Sequence, residues 1–247
     1  MLLTIGTVVH ASDTVRLASG EWPPLMSQQL PHFGVGSLIV TEAFAQVGIK
    51  TDYGFFSWRR SFELARNGSW DGTPLWKSTP DRQRDFYISD VLLTLPGVLF
   101  HRLGRDFHWR SIADLEPYRL GITHGYSYGS LVDEAVRQGR LKVVIAENDE
   151  RAMRLLAKGM VDIVPMTLPV GQQILHKNFS EQERAQIEIS LRPYLIEHFC
   201  LLLTRRIPGN AQRIQKFNEG LRKMITSGRL DQLRNEAWGG IQLAPLE

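Results

Sequence analysis

Leu92–Arg102, LLTLPGVLFHR, and its later counterpart Ile196–Arg205, IEHFCLLLTR, are strand-like runs that separate blocks of alternating strand and helix. The fold turns on what these two runs connect. If both cross from one body to another, the block between them is an inserted second domain. Residues 12–98 and 200–247 then form one lobe and residues 99–199 the other. Two crossings make a hinge, and hinged folds take their ligand in the cleft between the lobes.

The blocks on either side read as α/β. Upstream, Val15 to Ser19 predicts a strand that breaks at Gly20. Val40, Ala43, Phe44 and Val47 then fall at helical spacing ahead of Gly48. A strand near Ile49 to Ser57, a short helix through Phe62, Leu64 and Ala65, and a strand from Gly72 to Trp76 follow. Between the crossings, strands at Leu120–Thr123, Leu141–Ala146 and Val161–Val164 alternate with helices. One helix carries Leu131, Val132, Ala135 and Val136. The other is capped by Asn148, with Asp149 and Glu150 in the first turn, where negative charge suits the helix dipole. The tail is helical, with Ile214, Phe217, Leu221, Met224 and Ile225 on one face.

Composition narrows the function. A chain of 247 residues, 43% hydrophobic and 22% charged, is that of a soluble globular protein. Its net charge of +3 comes without any Lys/Arg run, which argues against nucleic acid as a partner. The lone cysteine, Cys200, excludes an internal disulfide and a cysteine zinc site, and reads as a small core side chain. The histidines show no close ligand spacing and there is no glycine-rich phosphate loop, so neither a metal nor a cofactor is expected. Met1 to Ala11 is apolar and ends Val9-His10-Ala11 before Ser12-Asp13, the pattern of a signal-peptide end cleaved after Ala11, which implies export to the periplasm. No later stretch reaches the roughly 18 apolar residues of a membrane span.

Residues 71–90, DGTPLWKSTPDRQRDFYISD, carry a resemblance. Thr79-Pro80-Asp81-Arg82 followed by Ser89-Asp90 resembles the signature of the family 3 extracellular solute-binding proteins, the polar amino-acid-binding type of bacterial ABC importers. Further matches fall in the family's order: Glu21-Trp22-Pro23-Pro24, Ile112-Ala113-Asp114-Leu115 before Leu120-Gly121-Ile122 and Gly125, Lys158-Gly159 with Val161-Asp162, and Gly228 with Ala237-Trp238-Gly239. The resemblance implies a type II periplasmic-binding fold of two α/β lobes joined by two crossover strands. It also implies a monomer that binds a small carboxylate-bearing molecule, amino-acid-like or an organic anion, and serves an ABC permease or a sensor.

The resemblance assigns roles as well. Arg82 would hold the ligand carboxylate, for which its fork of donors is suited. Trp58 would stack on the ligand, Trp22 would form a second wall, and backbone N–H groups of Gly125-Tyr126-Ser127 would open a helix toward an anionic group. Two positions depart from the family pattern. Lys77 stands where a small hydroxyl residue is usual, and Thr167 where a carboxylate would hold an ammonium. Lys77, Arg59 and Arg60 beside Trp22, Trp58 and Trp76 favour an anion over a standard amino acid.

Two enzymatic readings compete with a binding protein. A secreted dehydratase on the same fold needs an acid in the cleft, for which Glu21 and Glu197 are candidates. A serine hydrolase would use Ser127 within Gly125-Tyr126-Ser127-Tyr128-Gly129, with Asp162 and then His176 or His198 following in the order of that class.

Overall fold

The computed structural model describes residues 13–104 and 107–238. The expected signal-peptide end, residues 1–11, lies outside the described residues.

The chain forms two α/β lobes of matching topology. Strand β1 (Thr14–Ser19), helix α1 (Val35–Ala45), β2 (Lys50–Phe55), α2 (Trp58–Arg66) and β3 (Gly72–Lys77) build the first, followed by the short α3 (Pro80–Asp85) and β4 (Phe86–Ile88). Strand β5 (Leu93–Arg102) leads into the second lobe, which contains β6 (Arg119–Thr123), α4 (Ser130–Arg137), β7 (Lys142–Ala146), α5 (Asp149–Ala157), β8 (Ile163–Thr167), α6 (Leu168–Asn178) and α7 (Glu181–Arg184). Strand β9 (Ile187–Thr204) returns to the first lobe, where α8 (Asn210–Thr226) and α9 (Arg229–Trp238) close the described chain.

The strands run in the order β2-β1-β3-β9-β5-β8-β6-β7, with β4 paired to β9. Each end of the sheet is a parallel trio, β2-β1-β3 or β7-β6-β8, bordered by an antiparallel strand. The two central strands pair with each other from Leu93↔Phe199 to Arg102↔Ile187, with a register shift between Gly97 and Leu99. Strand β5 continues onto β8 and β9 onto β3, so both expected crossings are crossovers between lobes.

Several boundaries move from their sequence-based positions for local reasons. Strand β8 starts at Ile163 rather than Val161; the chain bends at Asp162, whose carboxylate accepts the Arg119 backbone N–H at 2.9 Å. Strand β9 starts nine residues before Ile196, because Leu99 to Arg102 of β5 pair with Ile187 to Ser190 ahead of the stretch from Leu195 to Phe199. Thr79-Pro80-Asp81-Arg82 opens helix α3, with the Thr79 hydroxyl capping the Arg82 N–H at 3.3 Å and proline in the first turn, where its missing donor is harmless.

Asp71-Gly72 is structural. The buried Asp71 carboxylate accepts the Arg16 backbone N–H at 2.8 Å and Arg213 Nη1 at 3.0 Å, tying β1 to α8. Gly72 lets β9 approach, since a Cβ there would stand 2.2 Å from the Leu202 carbonyl oxygen. The first lobe's core packs Val15, Leu17, Ile39 and Phe44 against Phe217 and Leu221 of α8. Leu115, Leu120, Val132, Leu141 and Ile163 form a second core beyond the crossovers. Cys200 is a buried core residue, as its apolar setting predicts. No helix among the described residues is long and apolar enough to cross a membrane.

Candidate functional site

Where β3 meets β9, an extra residue separates Thr73↔Leu202 from Trp76↔Cys200. Leu75 sits in this bulge with φ at 58°, a left-handed conformation that is unfavourable for a branched side chain. The bulge re-aims the end of the strand, and Leu75, Trp76 and Lys77 all face a cavity of about 390 Å³ between the lobes. That volume is at the small end of the range for small-molecule sites.

The first lobe lines this cavity with Trp22, Trp58, Arg59, Phe62, Trp76, Lys77 and Arg82. Trp58, the first residue of α2, packs so closely on the backbone that a Cβ on Gly20 would lie 2.6 Å from its ring. Its Nε1 donates to the Glu21 carbonyl at 3.2 Å. Trp22 meets Trp58 edge to face at 6.2 Å between centroids, and Trp58 meets Trp76 in the same way at 5.4 Å. The result is a rigid aromatic wall.

Arg82 lies against that wall. Its guanidinium carbon is 4.6 Å from the Trp76 ring centroid, and Nη1 donates to the Lys77 carbonyl at 2.7 Å. Burial pushes its pKa below the usual guanidinium value. Among the described residues no Asp or Glu stands within ion-pair distance of it; neighbouring Asp81 pairs with Arg84 instead, at 2.7 Å. A desolvated guanidinium without a counter-ion is a strong anion site.

Lys77 is differently placed. It donates to the Ser127 carbonyl across the cleft and pairs with Glu197 Oε1 at 3.0 Å. Glu197 Oε2 accepts the Thr167 hydroxyl at 2.5 Å. Thr167, at the position where an acid was expected, therefore holds an acid that comes from β9. Lys77 is thus a bridging group with its charge already compensated, and the expectation of a free cation there is corrected.

The second lobe brings its own carboxyl. Asp149 Oδ2 accepts Trp22 Nε1 at 3.1 Å and the Tyr126 hydroxyl at 3.4 Å, while Oδ1 accepts the Thr123 hydroxyl at 2.6 Å. Burial raises its pKa above the ordinary carboxylate value, and these hydrogen bonds oppose the rise. The Trp22–Asp149 and Lys77–Ser127 bonds both join the lobes across the cleft.

Of the other expected residues, Trp22, Trp58, Trp76, Tyr126, Ser127 and Thr167 all line the cavity. Glu21 does not; its carboxylate turns outward to accept the Gln28 N–H at 2.9 Å, and only its backbone serves the site. Arg60 is also off the wall, over the Phe56 ring. Helix α4 opens at Ser130 rather than Ser127. Asp133 takes the Ser127 hydroxyl at 2.7 Å and the Tyr128 N–H at 2.8 Å, and the Tyr126 N–H donates to the Thr123 carbonyl at 3.3 Å, so the helix start expected at Ser127 is not formed there. Tyr128, Tyr194, Phe62, Phe199, Glu63 and above all Asp149 also line the cavity without having been expected there.

The hydrolase partners are not gathered. Asp162 binds Arg119, His198 meets Thr94 Oγ1 through Nδ1 at 3.1 Å, His176 lies in α6, and none of the three lines the cavity with Ser127. No group of three or more metal-ligating side chains occurs among the described residues.

No protein-family model and no curated protein matches the sequence. Solved structures do share the fold. An ancestral arginine-binding protein bound to arginine superposes with a TM-score of 0.75 at 19% identity, over 92% of this chain and 99% of that one. A histidine kinase sensor domain with similarity to periplasmic binding proteins gives 0.72 at 19%, over 92% and 96%. An ancestral amino acid-binding protein, a precursor of cyclohexadienyl dehydratase, gives 0.71 at 15%, over 91% and 94%. The two-lobed α/β chain has the fold of the periplasmic binding proteins.

Proposed function

We propose that this chain, built on the periplasmic-binding fold, is an exported solute-binding protein that closes its lobes over a small carboxylate-bearing molecule. It acts as a monomer in the periplasm and hands the ligand to an ABC permease, or reports it as a sensor. Residues 12–98 with 200–247 serve as one jaw, residues 99–199 as the other, and β5 with β9 as the hinge. The observation that carries this reading is Arg82, a desolvated cation in the interlobe cavity with no carboxylate partner among the described residues. The arginine-bound and sensor-domain structures that share the fold accord with it. Binding is favoured over dehydration because both buried carboxyls of the cavity already accept hydrogen bonds from protein donors, leaving neither aimed at a leaving group.

A thermal-shift screen over carboxylates, amino acids, amines and sugars tests this, since a ligand that binds only the native state raises Tm. A carboxylate should stabilise the wild-type protein. In Arg82→Ala its affinity should fall by about 2–5 kcal/mol, as when one partner of a buried charged pair is removed. At 1.4 kcal/mol per decade this is roughly a 30- to 4,000-fold loss in calorimetry. Undiminished affinity in the variant would remove Arg82 as the anchor.

A further inference from the structure

Three carboxylates line the cavity, and each is already engaged. Glu63 accepts Arg66 Nε and Nη2 at 3.1 and 2.6 Å. Glu197 is held by Lys77 and Thr167, and Asp149 by Trp22, Thr123 and Tyr126. The cavity's cations are not balanced in the same way: Lys77 has its acid, while among the described residues neither Arg82 nor the exposed Arg59 has one within ion-pair distance. A ligand carboxylate therefore meets a waiting partner, whereas a ligand ammonium would have to displace Lys77 from Glu197 or Arg66 from Glu63, or compete with three donors at Asp149. An ammonium that entered without doing so would lose its hydration uncompensated.

The apolar lining completes the picture. Trp22 meets both Trp58 and Phe199 edge to face, at 6.2 and 5.2 Å between centroids, and Tyr126 and Tyr128 stand on the opposite lobe. These rings offer flat surfaces. The face of Trp76 is already covered by the Arg82 guanidinium, so a second cation stacked there would be repelled.

We infer that the cleft takes a flat aromatic acid without an ammonium group, an arylalkanoate rather than an aromatic α-amino acid. The inference rests on the solute-binding reading and names the ligand class of the same site. Arg82 receives the carboxylate, the tryptophan wall receives the ring, and the Lys77–Glu197 pair rejects the amino acid by keeping the acid occupied.

Calorimetry on the full chain with three matched pairs tests it: phenylalanine, tyrosine and tryptophan, each against its deaminated 3-arylpropanoate, with glycine betaine as a fourth probe. In at least one pair the deaminated acid should bind about tenfold or more tightly, the consequence of leaving one charged group unpaired. Equal or tighter binding of the amino acid overturns the inference and leaves the solute-binding reading intact. Tightest binding of betaine also overturns it, because the rings would then hold a cation. If none of these probes binds but another carboxylate from the screen does, the ring is wrong; if no carboxylate binds at all, both readings fall. Lys77→Met should release Glu197 and lower the preference for the deaminated acid about tenfold. An unchanged preference in a folded variant removes the pair from the discrimination, and the wild-type ratios decide even if that variant does not fold.

Discussion

Replacing Glu197 with glutamine keeps the shape of the side chain and removes one charge. The carboxylate is buried, with 6% of its side chain exposed; Lys77 reaches it at 3.0 Å and Thr167 at 2.5 Å. Glutamine can retain one acceptor but loses the ion pair, and Lys77 keeps only the Ser127 carbonyl. A hydrogen bond to a charged group contributes about 1.5–3 kcal/mol. Lys77 retains 20% side-chain exposure, so water offsets part of the loss, and about 1.5–2.5 kcal/mol is expected. Urea unfolding at neutral pH measures it, and within a total stability of about 5–15 kcal/mol the variant remains folded. The stricter check is a double-mutant cycle with Lys77→Met. If the pair acts as a unit, the double variant should lose less than the sum of the singles by about 1 kcal/mol or more. Additivity within about 0.5 kcal/mol would refute the coupling, and with it the view that Lys77 is compensated by Glu197.

Two further outcomes follow from the geometry. Asp149→Asn removes a carboxyl whose pKa burial has raised above its ordinary value of 3.8; a raised acid stabilises the fold below that value and loses this contribution as pH climbs through the folded pKa. The stability of Asp149→Asn relative to wild type should therefore rise as pH is raised above the ordinary value in urea titrations, and a difference independent of pH would contradict a buried, shifted Asp149. Ligand should also draw the lobes together about β5 and β9, seen as a smaller radius of gyration in small-angle scattering; an unchanged radius at saturation would count against the hinge.

The architecture was legible because the crossovers are long apolar runs and the strands between them are short and evenly punctuated. Where an element depended on a distant partner, the pattern failed. The first stretch of β9, Ile187 to Ser190, is too short and polar to read as a strand and becomes one by pairing with Leu99 to Arg102 of β5. The site was half legible. Arg82 and the tryptophans stand in a recognisable local pattern, but Asp149 directly follows an N-cap, and an acid there reads as a partner for the helix dipole. Nothing local reveals that Trp22, 127 residues upstream, donates to it. Lys77 and Glu197 are 120 residues apart and looked like two independent charges; only the pairing of β3 with β9 makes them one.

The aromatic wall has an optical consequence. Three of the six tryptophans, Trp22, Trp58 and Trp76, lie in one contiguous cluster at the cleft, and the indole N–H of Trp22 is bonded to a carboxyl of the opposite lobe. Any opening that breaks this bond exchanges a buried carboxyl for water beside one fluorophore, while the edge-to-face neighbours exchange excitation with it. Such an opening would give a native emission signal, to be followed in stopped flow without attaching a dye or introducing a second cysteine.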